Sequence, residues 1–323
     1  MSRGPLQIDE AAVVEHIARV IRSHVHETLH RRGAVVGLSG GVDSSVVAAL
    51  CAHALGPEHV VALLMPERDC SDEALWLGRL MAERLGVHAI VEDIGPTLAA
   101  AGCYRRQTEA IRTVFPEYAE GWRCKLSLPS ILEGDRLNVF SLTVEDPSGT
   151  RRSSRMSPAA YRQLVAATNF KQRTRKMMEY YHADRLQYAV AGTANRLEFD
   201  QGFFVKQGDG AADFKPIAHL YKTQVYSLAE YLDVPLAIRG RPPTTDTFSM
   251  SQTQEEFYFA LPYDQMDLCL WGRDHGTPVE ELAAIVGLTS AQVERVYRDI
   301  DAKRRTTRYL HVPALTVDGR VEG

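Results

Sequence analysis

Apolar residues recur at helical spacing from Ile8 to Leu29, where Val13, Val14, Ile17, Val20, Ile21 and Val25 share one face. Gly33 ends that helix. Ala34-Val35-Val36-Gly37-Leu38 is short, continuously apolar and β-branched, which predicts a strand buried on both faces of a parallel sheet. A glycine-rich turn follows, then a helix from Asp43 to Leu55 closed by Gly56-Pro57. Val60 to Met65 predicts the second strand. Ser71 to Leu85 predicts a helix with Ser71 as its N-cap, and Val87 to Val91 the third strand. Strand, helix, strand, helix, strand is the grammar of a doubly wound sheet.

Between Tyr104 and Tyr161 the pattern loosens. Arg136 to Glu145 alternates, with Phe140, Leu142 and Val144 on one side, and Asp146-Pro147-Ser148-Gly149 is a turn. Thr150 to Met156, carrying Arg151, Arg152 and Arg155, returns as a second strand. This predicts a β-hairpin inserted into an α/β chain. Ser157-Pro158 then opens a helix. Gln187 to Thr193 resumes the strand-then-turn pattern, Tyr221 to Leu232 is an amphipathic helix, and Arg239 to Ser251 is a loop rich in Pro, Thr and Ser. Two further helices, about Glu280 to Val286 and Ser290 to Ala302, close the chain.

The expected architecture is α/β, a Rossmann-like doubly wound parallel sheet with helices on both faces and the inserted hairpin. A single domain spans residues 1–323, with an insertion at about 118–160 and a helical C-terminal extension at about 262–323. A length of 323 residues with 45% hydrophobic content is enough for one large core. The formal net charge of −4 calls for neither a nucleic-acid nor a membrane partner. Five scattered cysteines, with no Cys-x-x-Cys pair, argue against a zinc site or a disulfide framework. No signal peptide and no apolar run of about eighteen residues is visible, so a cytoplasmic location is expected. The eleven histidines show no ligand spacing; His24, His26 and His30 are expected to face solvent.

The chemistry is concentrated at Ser39-Gly40-Gly41-Val42-Asp43-Ser44, where a strand meets a helix. Glycines let the backbone approach an anion, and the helix adds its positive end. Ser39, Ser44 and Ser45 can donate hydroxyls to the same anion. A carboxylate beside phosphate is repulsive unless a divalent cation lies between them, so Asp43 reads as a Mg²⁺ ligand. The lysine of a Walker A loop and the Gly-x-Gly-x-x-Gly fingerprint are both absent. A phosphate cradle without that lysine points to cleavage elsewhere than the γ position.

Gly37-Leu38-Ser39-Gly40-Gly41-Val42-Asp43-Ser44 resembles the pyrophosphate loop of the ATP pyrophosphatases, which include GMP synthetase, asparagine synthetase, tRNA-thiolating enzymes and NAD synthetase. Five later motifs resemble the NAD synthetases in particular. They are Asn169 to Arg175, Gly192-Thr193 to Glu198, Lys206-Gln207-Gly208-Asp209-Gly210 to Asp213, Tyr221-Lys222-Thr223-Gln224-Val225, and Pro243-Thr244-Thr245-Asp246.

The resemblance implies that Gly37, Leu38, Ser39, Gly40, Gly41, Val42, Asp43, Ser44, Thr193, Lys222 and Thr244 bind ATP. Asp43 and Lys222 would be catalytic, Lys222 stabilising charge as pyrophosphate leaves. Asp43 and Glu198 would hold Mg²⁺. Arg173, Lys206, Asp213 and Lys303 would hold the acceptor, deamido-NAD. Asp209, between two glycines, reads as holding a turn or contacting a second metal, with the turn favoured, and Lys171 and Arg175 divide evenly between a role and a solvated helix face.

The implied enzyme is an AMP-forming carbon–nitrogen ligase: the acceptor carboxylate is adenylated by ATP, then ammonia displaces AMP. Glutamine-dependent relatives carry an amidase domain, for which the nine residues before the first helix leave no room, so free ammonia, or ammonia passed from a separate partner, is expected. A homodimer is implied as well. Ala302-Lys303-Arg304-Arg305 stands where the family has His-Lys-Arg, and Tyr263-Asp264-Gln265-Met266-Asp267 where it has Tyr-x-x-Ile-Asp. Two other readings keep the same loop: an amide ligase acting on a different carboxylate, and a non-catalytic nucleotide-binding protein.

Overall fold

The fold was obtained as a computed structural model, which describes residues 4–127, 140–244, 247–250, 252–259 and 261–317. Asp9 opens α1 (Glu10–Arg22), its carboxylate accepting from the Ala12 amide at 3.0 Å. The apolar stripe expected as far as Leu29 continues past α1 as wider π-type turns, Ser23–Thr28. His24, His26 and His30 are exposed or half-buried at the surface, in keeping with the expectation. Then come β1 (Ala34–Gly37), α2 (Val42–Leu55), β2 (Val60–Leu64), α3 (Asp72–Leu85) and β3 (His88–Val91). Helix α2 is apolar on nearly every side because it is enclosed by α1, by the sheet and by a later helix. Ser71 caps α3 through the Ala74 amide at 3.2 Å, and Gly86 ends it with φ of 68°.

Two helices, α4 (Gly95–Ala100) and α5 (Cys103–Arg112), lead into the insertion. The expected hairpin is present as β5 (Ser141–Glu145) and β6 (Arg151–Arg155), joined at Asp146 to Gly149. It is extended by a strand the pattern did not reveal, β4 (Arg123–Ser127), which pairs antiparallel with β5 so that Cys124 faces Val144 and Leu126 faces Leu142. Only two of β4's five residues are apolar, too few to signal a strand unless the partner is known. Residues 136–139 of the expected alternation lie outside the described residues. The insertion has its own small core: Cys124, Leu126, Leu142 and Val144 pack on Ala110, Ile111, Ala160 and Leu164.

Ser157 caps α6 (Pro158–Leu186), a helix of 29 residues that runs from the insertion back to the sheet and delivers β7 (Ala189–Ala191). The main sheet is parallel in the order β3-β2-β1-β7. Its strands alternate between two cores. Ala34, Val36, Ala62 and Leu64 pack with α1, α2 and α3 on one face; Val35, Val61, Leu63 and Val190 pack with α4 and α6 on the other. Burial on both faces explains why these strands read as unbroken apolar runs.

The rest of the chain is helical: α7 (Arg196–Gln201), α8 (Lys222–Tyr231), α9 (Leu236–Arg239), α10 (Tyr263–Asp274), α11 (Val279–Val286) and α12 (Ser290–His311). The last three form the expected C-terminal extension around Met266, Leu270, Leu282, Val293, Val296 and Ile300. Helix α12 runs nine residues beyond the expected end at Ala302. No described helix is long and apolar enough to cross a membrane.

Candidate active site

In the order β3-β2-β1-β7, β1 is where successive connections part to opposite sides. The crevice beyond the carboxyl ends of β1 and β7 is therefore the expected ligand position of an open α/β sheet. A cavity of about 400 Å³ occupies it. Its walls include residues 37–44 except Gly40, together with Thr193, Glu198 and Thr244.

The loop after β1 is built for close approach. Gly40 has φ of 77°, and a Cβ there would lie 2.5 Å from the Ala74 carbonyl oxygen. A Cβ on Gly37 would lie 2.6 Å from Glu179 Oε1. Gly41 precedes α2 without a side-chain cap, leaving the helix's first amides for a ligand. The serines behave differently from the expectation of direct donation. Ser39 and Ser44 hydroxyls pair at 3.1 Å, and Ser44 and Ser45 donate to the Gly41 carbonyl at 3.1 and 2.8 Å. Ser45 is fully buried, so its hydroxyl shapes the loop from behind.

Asp43, Glu198 and Lys222 come from three separate segments and converge at this loop. Asp43 Oδ2 accepts from the Lys222 ammonium, and Oδ1 accepts from Asn195 Nδ2 at 3.0 Å. Asn195 also caps α7, accepting from the Glu198 amide at 3.1 Å while Glu198 Oε2 accepts from the Asn195 amide at 3.2 Å. This reciprocal cap fixes both carboxylates with one asparagine. The motif reading passed over Asn195; its signal was the Asn-x-x-Glu capping spacing.

Lys222 is completely buried at the first turn of α8, an unfavourable end of a helix for a cation. Burial opposes its charge, but Asp43 and Glu198 outweigh that and raise its pKa. Glu198 is pushed up to about 8, first by burial and then by repulsion from Asp43, against the pull of Lys222. Two half-buried carboxylates lie together on the cavity wall, and one of them is reluctant to ionise. Among the described residues no group of three His, Cys, Asp or Glu side chains could hold a metal. Asp43 and Glu198 offer hard carboxylate oxygens, the donors suited to a cation that takes one or two carboxylates and fills its shell with phosphate oxygens and water, which is the habit of Mg²⁺.

Behind Lys222, Asp267 of α10 caps α8 by accepting from the Thr223 amide at 2.7 Å. Burial raises its carboxyl to about 6 from the ordinary 3.8, against the Thr223 hydrogen bonds that favour the charge. A raised carboxyl favours the fold while protonated, so this contribution is complete below about pH 4 and is lost as pH rises through 6. Asp267→Asn keeps the acceptor and deletes the charge. Its stability relative to the parent should rise by about 3 kcal/mol between pH 4 and pH 7, read by urea denaturation; a pH-independent difference would contradict this assignment.

Two further charged groups line the cavity without a sequence signal, because they sit mid-helix in α6. Lys176 and Glu179 are buried and paired with each other across one turn. Arg175 also reaches the cavity and donates to Cys70 Sγ at 3.1 Å. Lys171 is 1% exposed, so it belongs to no solvated face. Asp209 holds a turn, accepting from the Val205 amide at 2.7 Å. Thr245 and Asp246 of the Pro-rich motif lie outside the described residues.

The residues expected to hold the acceptor do not line this cavity. Arg173 is exposed and donates to the Lys206 carbonyl at 3.3 Å. The Lys206 ammonium is held by the Tyr309 and Val312 carbonyls at 2.8 and 2.7 Å, where α12 ends. Asp213 accepts from the Val190 amide at 2.7 Å and from the Tyr180 hydroxyl at 3.2 Å. Lys303 pairs with Asp299 at 2.8 Å and donates to the Tyr258 carbonyl at 2.8 Å. Tyr258 in turn lines the cavity.

Comparison with known proteins fits this geometry. Residues 13–115 and 137–308 match the family described as NAD synthase. The unmatched interval between them includes β4. An NH(3)-dependent NAD(+) synthetase of Mesorhizobium japonicum is 63% identical over 314 residues, 97% of this chain and 98% of the relative. One from Rhizobium meliloti is 58% identical over 96% of this chain and 93% of the relative. Among solved structures, an NMN synthetase from Francisella tularensis aligns with a TM-score of 0.64 at 22% identity, covering 96% of this chain and 99% of that one. An NH3-dependent NAD synthetase from Campylobacter jejuni aligns with a TM-score of 0.60 at 20% identity, covering 96% and 100%.

Proposed function

The chain belongs to the NAD synthase family, and from that premise we propose that its cleft adenylates the carboxylate of deamido-NAD and releases the amide after attack by ammonia. It is a ligase that forms NAD, with ATP as co-substrate. The observation that carries the mechanistic reading is the convergence of Asp43, Asn195, Glu198 and Lys222 on the glycine loop.

The glycine loop and the first amides of α2 hold the ATP phosphates, with Thr193 and Thr244 on the nucleotide. Asp43 and Glu198 would hold Mg²⁺, which would supply charge neutralisation at the phosphates. Lys222 shifts its hydrogen bonds from Asp43 to the departing pyrophosphate. The acceptor oxygen forms a bond to the α-phosphorus as the bond to pyrophosphate breaks. Ammonia then adds to the activated carbonyl, a proton is lost to solvent, and AMP leaves. Little covalent work falls to side chains; positioning and charge carry the rate.

The fold leaves the acceptor open, since a neighbour of the same fold bears the name NMN synthetase. The deciding assay supplies enzyme, ATP, Mg²⁺, ammonium and deamido-NAD, with the mononucleotide acid as a parallel acceptor. NAD, AMP and pyrophosphate in equal amounts are expected. AMP release only with the mononucleotide, or with neither, would overturn the acceptor.

Arg173, Met177 and Tyr181 share one face of α6, and Met177 and Tyr181 are 52% and 59% exposed. This supports a homodimer in which that face, with the acceptor residues beside it, meets a second copy. Met177→Asp with Tyr181→Asp should convert a sedimenting dimer to monomer and raise the KM for the acceptor. A parent protein that sediments as a monomer at working concentration would remove the dimer.

A further inference from the structure

Three segments help to wall the cavity: the β2–α3 loop with Cys70 and Ser71, helix α6 with Thr168, Asn169 and Gln172, and the loop after α9 with Pro243, Thr244 and Phe248. Lys171 does not line the cavity. It lies behind all three, 1% exposed, with its three ammonium protons divided among its neighbours. It donates to Glu67 Oε1 at 3.0 Å, to Asp69 Oδ2 at 2.6 Å and to the Thr247 carbonyl at 2.8 Å. Glu67 and Asp69 side chains are 0% and 5% exposed. Around them Tyr104 donates to Glu67 Oε2 at 2.9 Å, and Arg68 pairs with Asp69 at 3.2 Å while stacking on the Tyr104 ring at 3.9 Å. Two acids, one lysine and one arginine close to neutrality.

We propose that Lys171 is a positioning residue for ATP: it clamps the β2–α3 loop and the Thr244 loop to α6, so that both face one nucleotide. The physical case rests on what its removal leaves. Glu67 and Asp69 would stay together in a site with almost no water, and a buried charge stripped of its partner is far costlier than an intact pair. The cheapest relief is for the loops to part, because α6 is a continuous hydrogen-bonded helix and each loop is tied down by isolated hydrogen bonds instead. Thr244 is three residues from the clamped carbonyl, so parting the loops moves a nucleotide contact directly. Arg241, reaching Ser71 at 3.3 Å, fastens the same two loops at the cavity rim and cannot replace a cation between Glu67 and Asp69.

This inference rests on the cleft being the ATP site, and its test separates the two. Binding of a non-hydrolysable ATP analogue with Mg²⁺ is measured by calorimetry on the full chain, alongside steady-state kinetics. Lys171→Met should weaken analogue binding and raise the KM for ATP at least about tenfold, equivalent to about 1.4 kcal/mol. The kcat at saturating ATP and the KM for ammonium should stay within about threefold of the parent. Adding Glu67→Gln to Lys171→Met removes one unpaired charge and should recover part of the affinity. Unchanged analogue affinity in Lys171→Met, or equal losses in every kinetic constant, would overturn the proposal. If Lys171→Met fails to fold, Asp69→Asn decides: it should weaken the analogue about threefold with kcat intact, and parent-like affinity would overturn the clamp. Absence of NAD formation by the parent would refute the acceptor reading while leaving the analogue measurement valid.

Discussion

Asp43→Asn is expected to lower NAD formation roughly 10³-fold while leaving the fold in place. The amide oxygen introduced by that substitution can still accept from Asn195 Nδ2, so the hydrogen bond that links the loop to α7 survives. Lys222 loses one carboxylate but keeps the attraction of Glu198. Glu198 in turn loses the charge that, after burial, does most to raise its pKa, so its carboxyl should move down from about 8. This gives a second readout independent of turnover. In the parent near neutral pH, Mg²⁺ must displace a proton from Glu198, and calorimetry in buffers of different ionisation heat should record that release. In Asp43→Asn the release should shrink. Turnover within tenfold of the parent would remove Asp43 from the metal site, and an unchanged proton release would separate it from Glu198.

Lys222→Met is expected to cost a similar factor in turnover and to show a stability loss that depends on conditions. The buried ammonium answers Asp43 directly and Glu198 through space. Without it the two carboxylates share a buried place uncompensated, a situation that typically costs about 3–5 kcal/mol. The sign of the pH dependence follows from the raised Glu198 carboxyl. Below its folded pKa it is protonated and the repulsion is absent; above it the repulsion is complete. Lys222 normally lowers that pKa, so the variant's Glu198 titrates above about 8. The variant should therefore already melt below the parent at pH 6, where Asp43 has lost its ion pair, fall further below it at pH 9, and recover in part at pH 9 when Mg²⁺ is added. Activity should not recover with Mg²⁺, because the charge that meets leaving pyrophosphate is still missing. A stability loss that is equal at pH 6 and pH 9 would show that Lys222 does not act on Glu198.

The residues that reading by motif could and could not find follow one rule. Gly40, Asp43, Glu198 and Lys222 stand in short segments whose spacing is imposed by local geometry: a turn needing positive φ, a helix start, a capping box. Asn195 belonged to the same class and was readable from its cap. Lys171, Lys176 and Glu179 were not, because a charged residue within a long helix carries no local mark of burial. Strand β4 was hidden for a related reason, since its two apolar residues acquire meaning only opposite Leu142 and Val144. Arg173, Lys206, Asp213 and Lys303 were expected to hold the acceptor by resemblance alone, and their placement outside the cavity of a single chain was invisible to it.

The amino-acid sequence by itself determined the elements of the main sheet, the glycine loop between β1 and α2, and the identities of the groups around it. Periodicity, turn residues and caps act over a few residues and are written locally. Tertiary structure alone decided that Asp43, Asn195, Glu198 and Lys222 meet, because 152 residues separate Asp43 from Asn195 and 179 separate it from Lys222. It also decided that the Glu198 carboxyl is pushed above its ordinary range, that Asp267 supports the start of α8, and that Lys171 is sealed between two loops. Each of these depends on desolvation and on charges brought close by the parallel sheet order, and neither quantity exists in an extended chain.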